Sequence, residues 1–261
     1  MRTVCLTVSY DGTDYAGWQV QPDVRTVQQE LQLALARITG DPGIQAHASG
    51  RTDCGVHARA QVVHFETDAP IAAGDWVRAV NANLPGDIRI LEAKEVDRTF
   101  HARFSACGKE YRYYIWNEAV LPPFYRLYRL HETRTLDVEL MKRAAGYLEG
   151  RHDFAAFTAE AKRPVESTER HLSLLDVRKK GAEIVIRAQS DGFLYKMVRS
   201  LAGGLIRVGK GQLSPDDIRE ILNSRTRTAR IPTAPPQGLF LWRVWYETPL
   251  KTKNNLLQSE V

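Results

Sequence analysis

Gly50-Arg51-Thr52-Asp53-Cys54-Gly55 runs directly into Val56-His57-Ala58-Arg59-Ala60-Gln61-Val62-Val63-His64-Phe65. The first part is a glycine-bounded turn, since glycine frees the backbone for conformations that other residues resist. The second part alternates. Val56, Ala58, Ala60 and Val62 share one face of an extended chain, and His57, Arg59 and Gln61 share the other. This period of two predicts a strand with one buried face. Upstream, Thr3 to Tyr10 is weakly alternating and β-branched, a strand that enters a glycine turn. Between the two, Thr26-Val27-Gln28-Gln29 has the pattern of a capping box. Val27, Leu31, Ala34, Leu35 and Ile38 then recur at helical spacing, and Gly40 stands where a C-terminal cap belongs. Ile44–Gly50 reads as a short strand, Asp75–Asn83 as a helix and Ile88–Val96 as a strand. Strand–helix–strand–strand–helix–strand is the split βαβ order of ferredoxin-like folds.

The second half repeats the theme. Lys109 to Trp116 is a strand rich in aromatics. Asp137 caps a helix that Leu136 and Met141 staple, with Ala144, Ala145 and Leu148 on its inner side. Leu174–Val177 and Ile184–Ala188, split by Lys179-Lys180-Gly181, form a hairpin. Leu194, Val198, Leu201, Leu205 and Val208 mark a helix, Ser214-Pro215 starts another, and Gly238–Tyr246 closes with a strand. The expected fold class is α+β: two ferredoxin-like, split βαβ lobes with mainly antiparallel sheets, meeting at a central basic cleft. The expected boundaries are 1–105, 106–246 and a polar tail over 247–261.

The 261 residues are 43% hydrophobic and 26% charged, which excludes a largely disordered chain. No apolar run approaches a membrane span, and the opening residues turn polar too early for a signal-peptide core. A cytoplasmic location is expected. Cys5, Cys54 and Cys107 make no disulfide framework and no CxxC zinc pair. A net charge of +5 favours an acidic partner such as nucleic acid.

The chemistry concentrates at Asp53, a carboxylate between two glycines with Arg51 just before it. On local pattern this is either an aspartate bonding its own turn or a carboxylate presented to a ligand. Cys54 with His57 could form a nucleophile–base pair. Asp53, Asp11 and Asp14 could form the metal set of a nuclease. His57 and His64 fall on opposite strand faces, which argues against a metal shared by those two. Arg199 flanks the apolar stripe of its helix, so helix geometry leaves it either solvated or turned inward.

Gly50-Arg51-Thr52-Asp53-x-Gly55-Val56-His57 with Gln61-Val62-Val63-His64-Phe65 resembles the signature of the tRNA pseudouridine synthase A family. Similar segments follow in family order: Tyr10-Asp11-Gly12-Thr13, Gly17-Trp18-Gln19, Asn81-Ala82-Asn83-Leu84-Pro85 and Phe100-His101-Ala102-Arg103-Phe104-Ser105-Ala106. Tyr111-Arg112-Tyr113, Met197-Val198-Arg199 and Gly238-Leu239-Phe240-Leu241 complete the set, so the resemblance spans nearly all of 1–246.

The resemblance implies isomerisation of uridine to pseudouridine at positions 38–40 of the tRNA anticodon stem-loop, with no cofactor and no metal. It implies Asp53 as the catalytic carboxylate, which burial would neutralise unless an opposing charge stood nearby. Arg199 is the implied counter-charge. Tyr111 is implied to stack on the target uracil, Arg51 to enter the space left by the flipped nucleotide, Leu239 to wall the pocket and Arg103 to contact tRNA. Lys109, Arg126, Arg129, Lys162 and Arg163 are weaker candidates for phosphate contact. Family members act as homodimers, and the same is expected here. The chain departs from the family at Cys54, commonly alanine, and at Glu110, often basic. The alternative reading is a non-catalytic RNA-binding protein.

Overall fold

A computed structural model describes residues 1–159 and 166–247. Lys162, Arg163 and most of the expected polar tail lie outside the described residues. In the first half β1 (Arg2–Tyr10), α1 (Val27–Thr39), β2 (His47–Ala48), β3 (His57–Thr67), α2 (Asp75–Asn81) and β4 (Ile88–Val96) follow the anticipated order. The second half comprises β5 (Gly108–Trp116), β6 (Leu130–His131), α3 (Val138–Gly146), β7 (Gly150–Asp153), β8 (Glu169–Lys180), β9 (Glu183–Ser190), α4 (Met197–Gly209), α5 (Pro215–Ser224) and β10 (Leu239–Trp245).

The strands lie in the order β4-β1-β3-β10-β5-β9-β8-β7, with β2 beside β3 and β6 beside β5. Both halves use one plan. The last strand of each flanks its first, so β4 borders β1 just as β10 borders β5. The halves do not keep separate sheets. β10 is antiparallel to β5 and also parallel to β3, with Phe240 opposite His57 and Leu241 opposite Ala58. One mainly antiparallel sheet therefore runs through both.

Val4, Leu6 and Val8 of β1, Phe65 of β3, and Tyr113 and Ile115 of β5 join Leu31 and Leu35 of α1 and Leu201 and Leu205 of α4 in one apolar core. Each such aliphatic side chain removed from water contributes about 1.5–3 kcal/mol. Cys5, Val62 and Ala102 form a small separate cluster, as strand alternation requires of Cys5 and Val62. Among the described residues no helix is long and apolar enough to cross a membrane.

Several local signals act as read. Gly40 caps α1 at φ 73°, and its N–H reaches the Ala36 carbonyl at 2.9 Å. Asp137 accepts from the Leu140 N–H at 3.0 Å, and Ser214 with Asp217 closes a capping box. The capping box expected at Thr26 does not form. Val27 and Gln28 donate their N–H groups to the carbonyls of Gly17 and Trp18, at 3.2 and 3.0 Å. The Thr26 hydroxyl is left buried without a partner. The strand expected over Ile44–Gly50 shrinks to His47–Ala48, because Gln61 takes Ser49 Oγ and the Gly50 carbonyl into the turn. The polar face of β3 is only partly solvated: Arg59 is exposed, but His57 and Gln61 are both buried.

Candidate active site

The turn carrying Asp53 connects β2 to β3 and is moulded from behind by residues 10–18. The Trp18 N–H donates to the Thr52 carbonyl at 3.1 Å, and the Gly55 N–H to the Tyr15 carbonyl at 3.3 Å. The Tyr10 hydroxyl and Thr52 Oγ1 share a hydrogen bond of 2.8 Å. Burial pushes the Tyr10 phenol up to about 12, so it remains protonated at neutral pH. Gly17, at φ +97°, lets the two segments touch. A Cβ there would lie 2.7 Å from the Thr52 carbonyl oxygen and 3.1 Å from the Asp53 carbonyl carbon.

Arg199 arrives from the first turn of α4. Its Nη1 donates to Asp53 Oδ2 at 3.0 Å, while Nε donates to the Ala234 carbonyl at 2.8 Å. The two bonds fix the guanidinium plane, which a lysine could not reproduce. The Asp53 side chain keeps 22% of its exposure and that of Arg199 12%, so the pair is sheltered yet reachable. The choice left open by helix geometry resolves as an inward arginine. Segment 231–234 lies so close to α4 that a Cβ on Gly203 would fall 2.0 Å from the Pro232 carbonyl oxygen. Arg227 ties that segment down through Ser200 Oγ and Thr233 Oγ1, at 3.0 and 2.9 Å.

Tyr111 projects from β5 and is 8% exposed. Burial raises its phenol far above the ordinary value, and the nearby Tyr10 and Asp53 raise it further. Its ring meets Phe193 edge-on at 5.1 Å. Leu239 opens β10 opposite Tyr113 and joins the same apolar core as Tyr111, 5% exposed. Arg51 is exposed beside the turn. Arg103 is exposed with its guanidinium 5.5 Å from the Phe104 ring centre, and Phe104 is itself 76% exposed.

Of the weaker phosphate candidates, Arg129 is already engaged. Arg129 Nε holds Glu183 at 2.5 Å and its guanidinium lies over Tyr114 at 4.2 Å, which makes it a strut of the fold. Arg126 is exposed and donates to the Pro123 carbonyl at 3.0 Å. Glu110, the departure from the family pattern, is buried and accepts from Arg112 Nε at 2.6 Å and Gln189 at 2.9 Å.

The Cys54–His57 pair does not form. His57 Nδ1 accepts the Gly12 N–H at 3.0 Å, and Nε2 faces the carbonyls of Leu127 and Gln237 at 3.0 and 3.2 Å. Cys54 is exposed. The three aspartates also stay apart in role: Asp11 accepts from Thr13 and Tyr128, Asp53 holds Arg199 and Asp14 is exposed. Among the described residues no three His, Cys, Asp or Glu side chains are grouped to hold a metal ion. Tyr10, Thr52, Gly17 and Ala234 belong to the site and carry no obvious chemistry. Tyr10, Gly17 and Thr52 are marked in the sequence only as members of the quoted motifs, and Ala234 carries no mark there.

A carboxylate fixed by a guanidinium in a sheltered turn, with a phenol nearby, can act as a nucleophile or a base on a small planar ligand. A family model described as tRNA pseudouridine synthase matches residues 6–105 and 144–247. The chain is 47% identical to tRNA pseudouridine synthase A of Bacillus pumilus over 248 residues, covering 95% of this chain and all of that protein. It is 48% identical to that of Moorella thermoacetica, covering 94% and 100%, and 46% identical to that of Listeria monocytogenes serovar 1/2a, covering 92% and 97%. With matches of this extent, the chain belongs to the tRNA pseudouridine synthase family, isomerases that convert uridine to pseudouridine in tRNA.

Proposed function

We propose that Asp53 is the carboxylate that performs this isomerisation. The N1–C1′ bond breaks, the base turns, C5 bonds to C1′, and the C5 hydrogen leaves as N1 gains one. Nothing is oxidised or reduced, so the residues need supply only charge, shape and a nucleophile or base. Arg199 keeps Asp53 oriented and sets a positive charge against it. Tyr111 stacks on the uracil after its ring is uncovered by the entering base, a contact worth about 1–3 kcal/mol. Leu239 supplies an apolar wall. A uridine paired in a stem is out of reach, so it is extruded at a cost of a few kcal/mol. Arg51, exposed beside the turn, enters the gap, and Arg103 contacts the tRNA.

The substrate uridines in this reading are positions 38–40 of the anticodon stem-loop, recognised through shape and phosphates more than base edges. The chain acts as a homodimer in the cytoplasm, its halves 1–105 and 106–246 serving as two lobes. The observation that carries the reading is the 3.0 Å bond between Arg199 and Asp53, next to the buried ring of Tyr111.

The test is release of tritium from C5-labelled, unmodified tRNA, with EDTA present. Wild type should release the label and leave the RNA intact, and Asp53→Asn should abolish release while keeping tRNA affinity within about threefold. Equal release by the variant would remove Asp53 from its role. Binding without release by folded wild type would favour the non-catalytic reading, and shortened RNA that depends on divalent ions a nuclease.

A further inference from the structure

We propose that Lys109, Arg170 and Arg103 form a binding site for one backbone phosphate of the RNA, beside the turn that carries Asp53. The proposal rests on the reading of that turn as the catalytic one.

Lys109 lies near the start of β5, paired with Val244 of β10 on one side and Ser190 of β9 on the other. Its ammonium lies against the backbone of Gly50: a Cβ at Gly50 would be 3.2 Å from Lys109 Nζ and 3.8 Å from Cε. A methyl group at position 50 would press on the ammonium, which would have to give by a few tenths of an ångström. Arg170, on β8, folds back along its own strand. Its Nη1 donates to the Ser167 and Glu169 carbonyls at 2.9 and 2.6 Å. Its Nε lies 3.5 Å from where a Cβ of Gly192 would stand. Gly192 precedes Phe193, the residue packed edge-on against Tyr111. One cation thus stands beside the Asp53 turn and the other against Gly192, next to the Tyr111 wall.

The charge in this place is unbalanced. Burial, then the positive charges of Arg103 and Arg170, push Lys109 down to about 8. No ion pair forms between these three residues and any carboxylate among the described residues. Asp53 is committed to Arg199, and Glu110, projecting from the opposite face of β5, to Arg112. Asp191 faces Arg151 at 4.0 Å and accepts the His171 N–H. Like charges held together in a half-dry site repel one another and lose hydration, a cost that a dianionic or monoanionic oxygen ligand offsets. A phosphate matches them. Its oxygens accept from an ammonium as a point charge and from a guanidinium in a fork. Arg103 is exposed, with its guanidinium beside the Phe104 ring and no carboxylate paired to it among the described residues, so RNA can reach it.

The experiment measures binding of an unmodified tRNA transcript to full-length wild type, Lys109→Gln, Arg170→Gln and Lys109→Arg across a salt series. Arg143→Gln, on the exposed face of α3, serves as the control. One neutralised phosphate contributes about 0.7–0.9 to the slope of log K against log salt, so a substitution that empties the site should lower the slope by that amount. The expected result is that fall for Lys109→Gln and Arg170→Gln, affinity about tenfold weaker at moderate salt, and a slope near wild type for Lys109→Arg and the control. Folded variants with wild-type slope and affinity overturn the site. If Lys109→Gln does not fold, the Arg170→Gln slope decides alone. Tritium release by wild type is scored separately. Its failure with the slopes reduced removes the catalytic reading and leaves the phosphate site standing, whereas release with unchanged slopes does the reverse.

Discussion

Arg199 Nη1 stands 3.0 Å from Asp53 Oδ2 across 146 positions of the chain. Asp53 belongs to the first half of the sheet and Arg199 to a helix of the second, so neither half alone contains the pair. β10, inserted between β3 and β5, fixes the distance between them.

Arg199→Met should therefore cost both stability and rate. Asp53 loses a charged hydrogen bond, worth roughly 1.5–3 kcal/mol in a sheltered setting, and its orientation relaxes. A misplacement near 1 Å can lower turnover on the order of 100-fold. The expected result in tritium release is a fall of that size in kcat with a smaller change in KM. Arg199→Lys should fall between, since an ammonium cannot serve Asp53 and the Ala234 carbonyl in one fixed plane. Full activity of Arg199→Met would separate the arginine from the reaction.

Gly203→Ala tests the same pair from a distance. The added methyl would stand 2.0 Å from the Pro232 carbonyl oxygen, so segment 231–234 must move and carry Ala234 away from Arg199 Nε. Overpacking of this kind costs about 1–3 kcal/mol. The melting temperature and kcat should fall together. Gly40→Ala is the contrast: a Cβ there meets nothing within 4 Å, so only backbone strain is added and kcat should hold. A normal kcat in folded Gly203→Ala would show that Ala234 does not aim the arginine.

Cys54→Ala should change turnover by less than about twofold. The thiol is exposed, and His57 is turned to backbone groups and offers it no base. Iodoacetamide should leave the alanine variant fully active. Loss of tritium release on this substitution would reopen a thiol mechanism.

The sequence was legible where structure is local. The Gly40 cap, the Asp137 cap and the Ser214 capping box depend on residues a few positions apart, and the alternation of β3 follows from its own side chains. Thr26 misled because Gly17 and Trp18, brought close only by the folded turn, supply the carbonyls that a threonine hydroxyl would have replaced. His57 looked solvent-facing because alternation reports a face and not what covers it. Phe240 stacks on its ring at 4.6 Å, from a strand at the far end of the chain. The fusion of the two half-sheets rests on pairing between residues 57–58 and 240–241, for which neither segment carries a local mark. The candidate site was legible as motifs. Their meeting, and the mould that Tyr10 and Gly17 provide, depend on contacts that only the folded chain makes.

Buried histidines set the acid limit of stability. His57 is 1% exposed with Nδ1 accepting an amide hydrogen, so its neutral form fits and burial holds its proton affinity below the ordinary value, against the pull of Asp11. His64 accepts the Ala102 N–H at 3.1 Å and is pushed down to about 4, first by burial and then by His101 and His47. Unfolded imidazoles bind protons near pH 6.5, whereas these folded ones do so only at lower pH. The unfolded state therefore takes up more protons on acidification, and the stability present above about pH 6.5 is lost progressively towards pH 4. Urea unfolding at pH 7.5, 6.5, 5.5 and 4.5 should show this decline in the wild type. His64→Asn keeps an acceptor for Ala102 at the place of Nδ1 but cannot take a proton, so its decline should be shallower and the two curves should converge as pH falls. A gap between them that stays constant across the series would mean that the proton on His64 plays no part in acid unfolding.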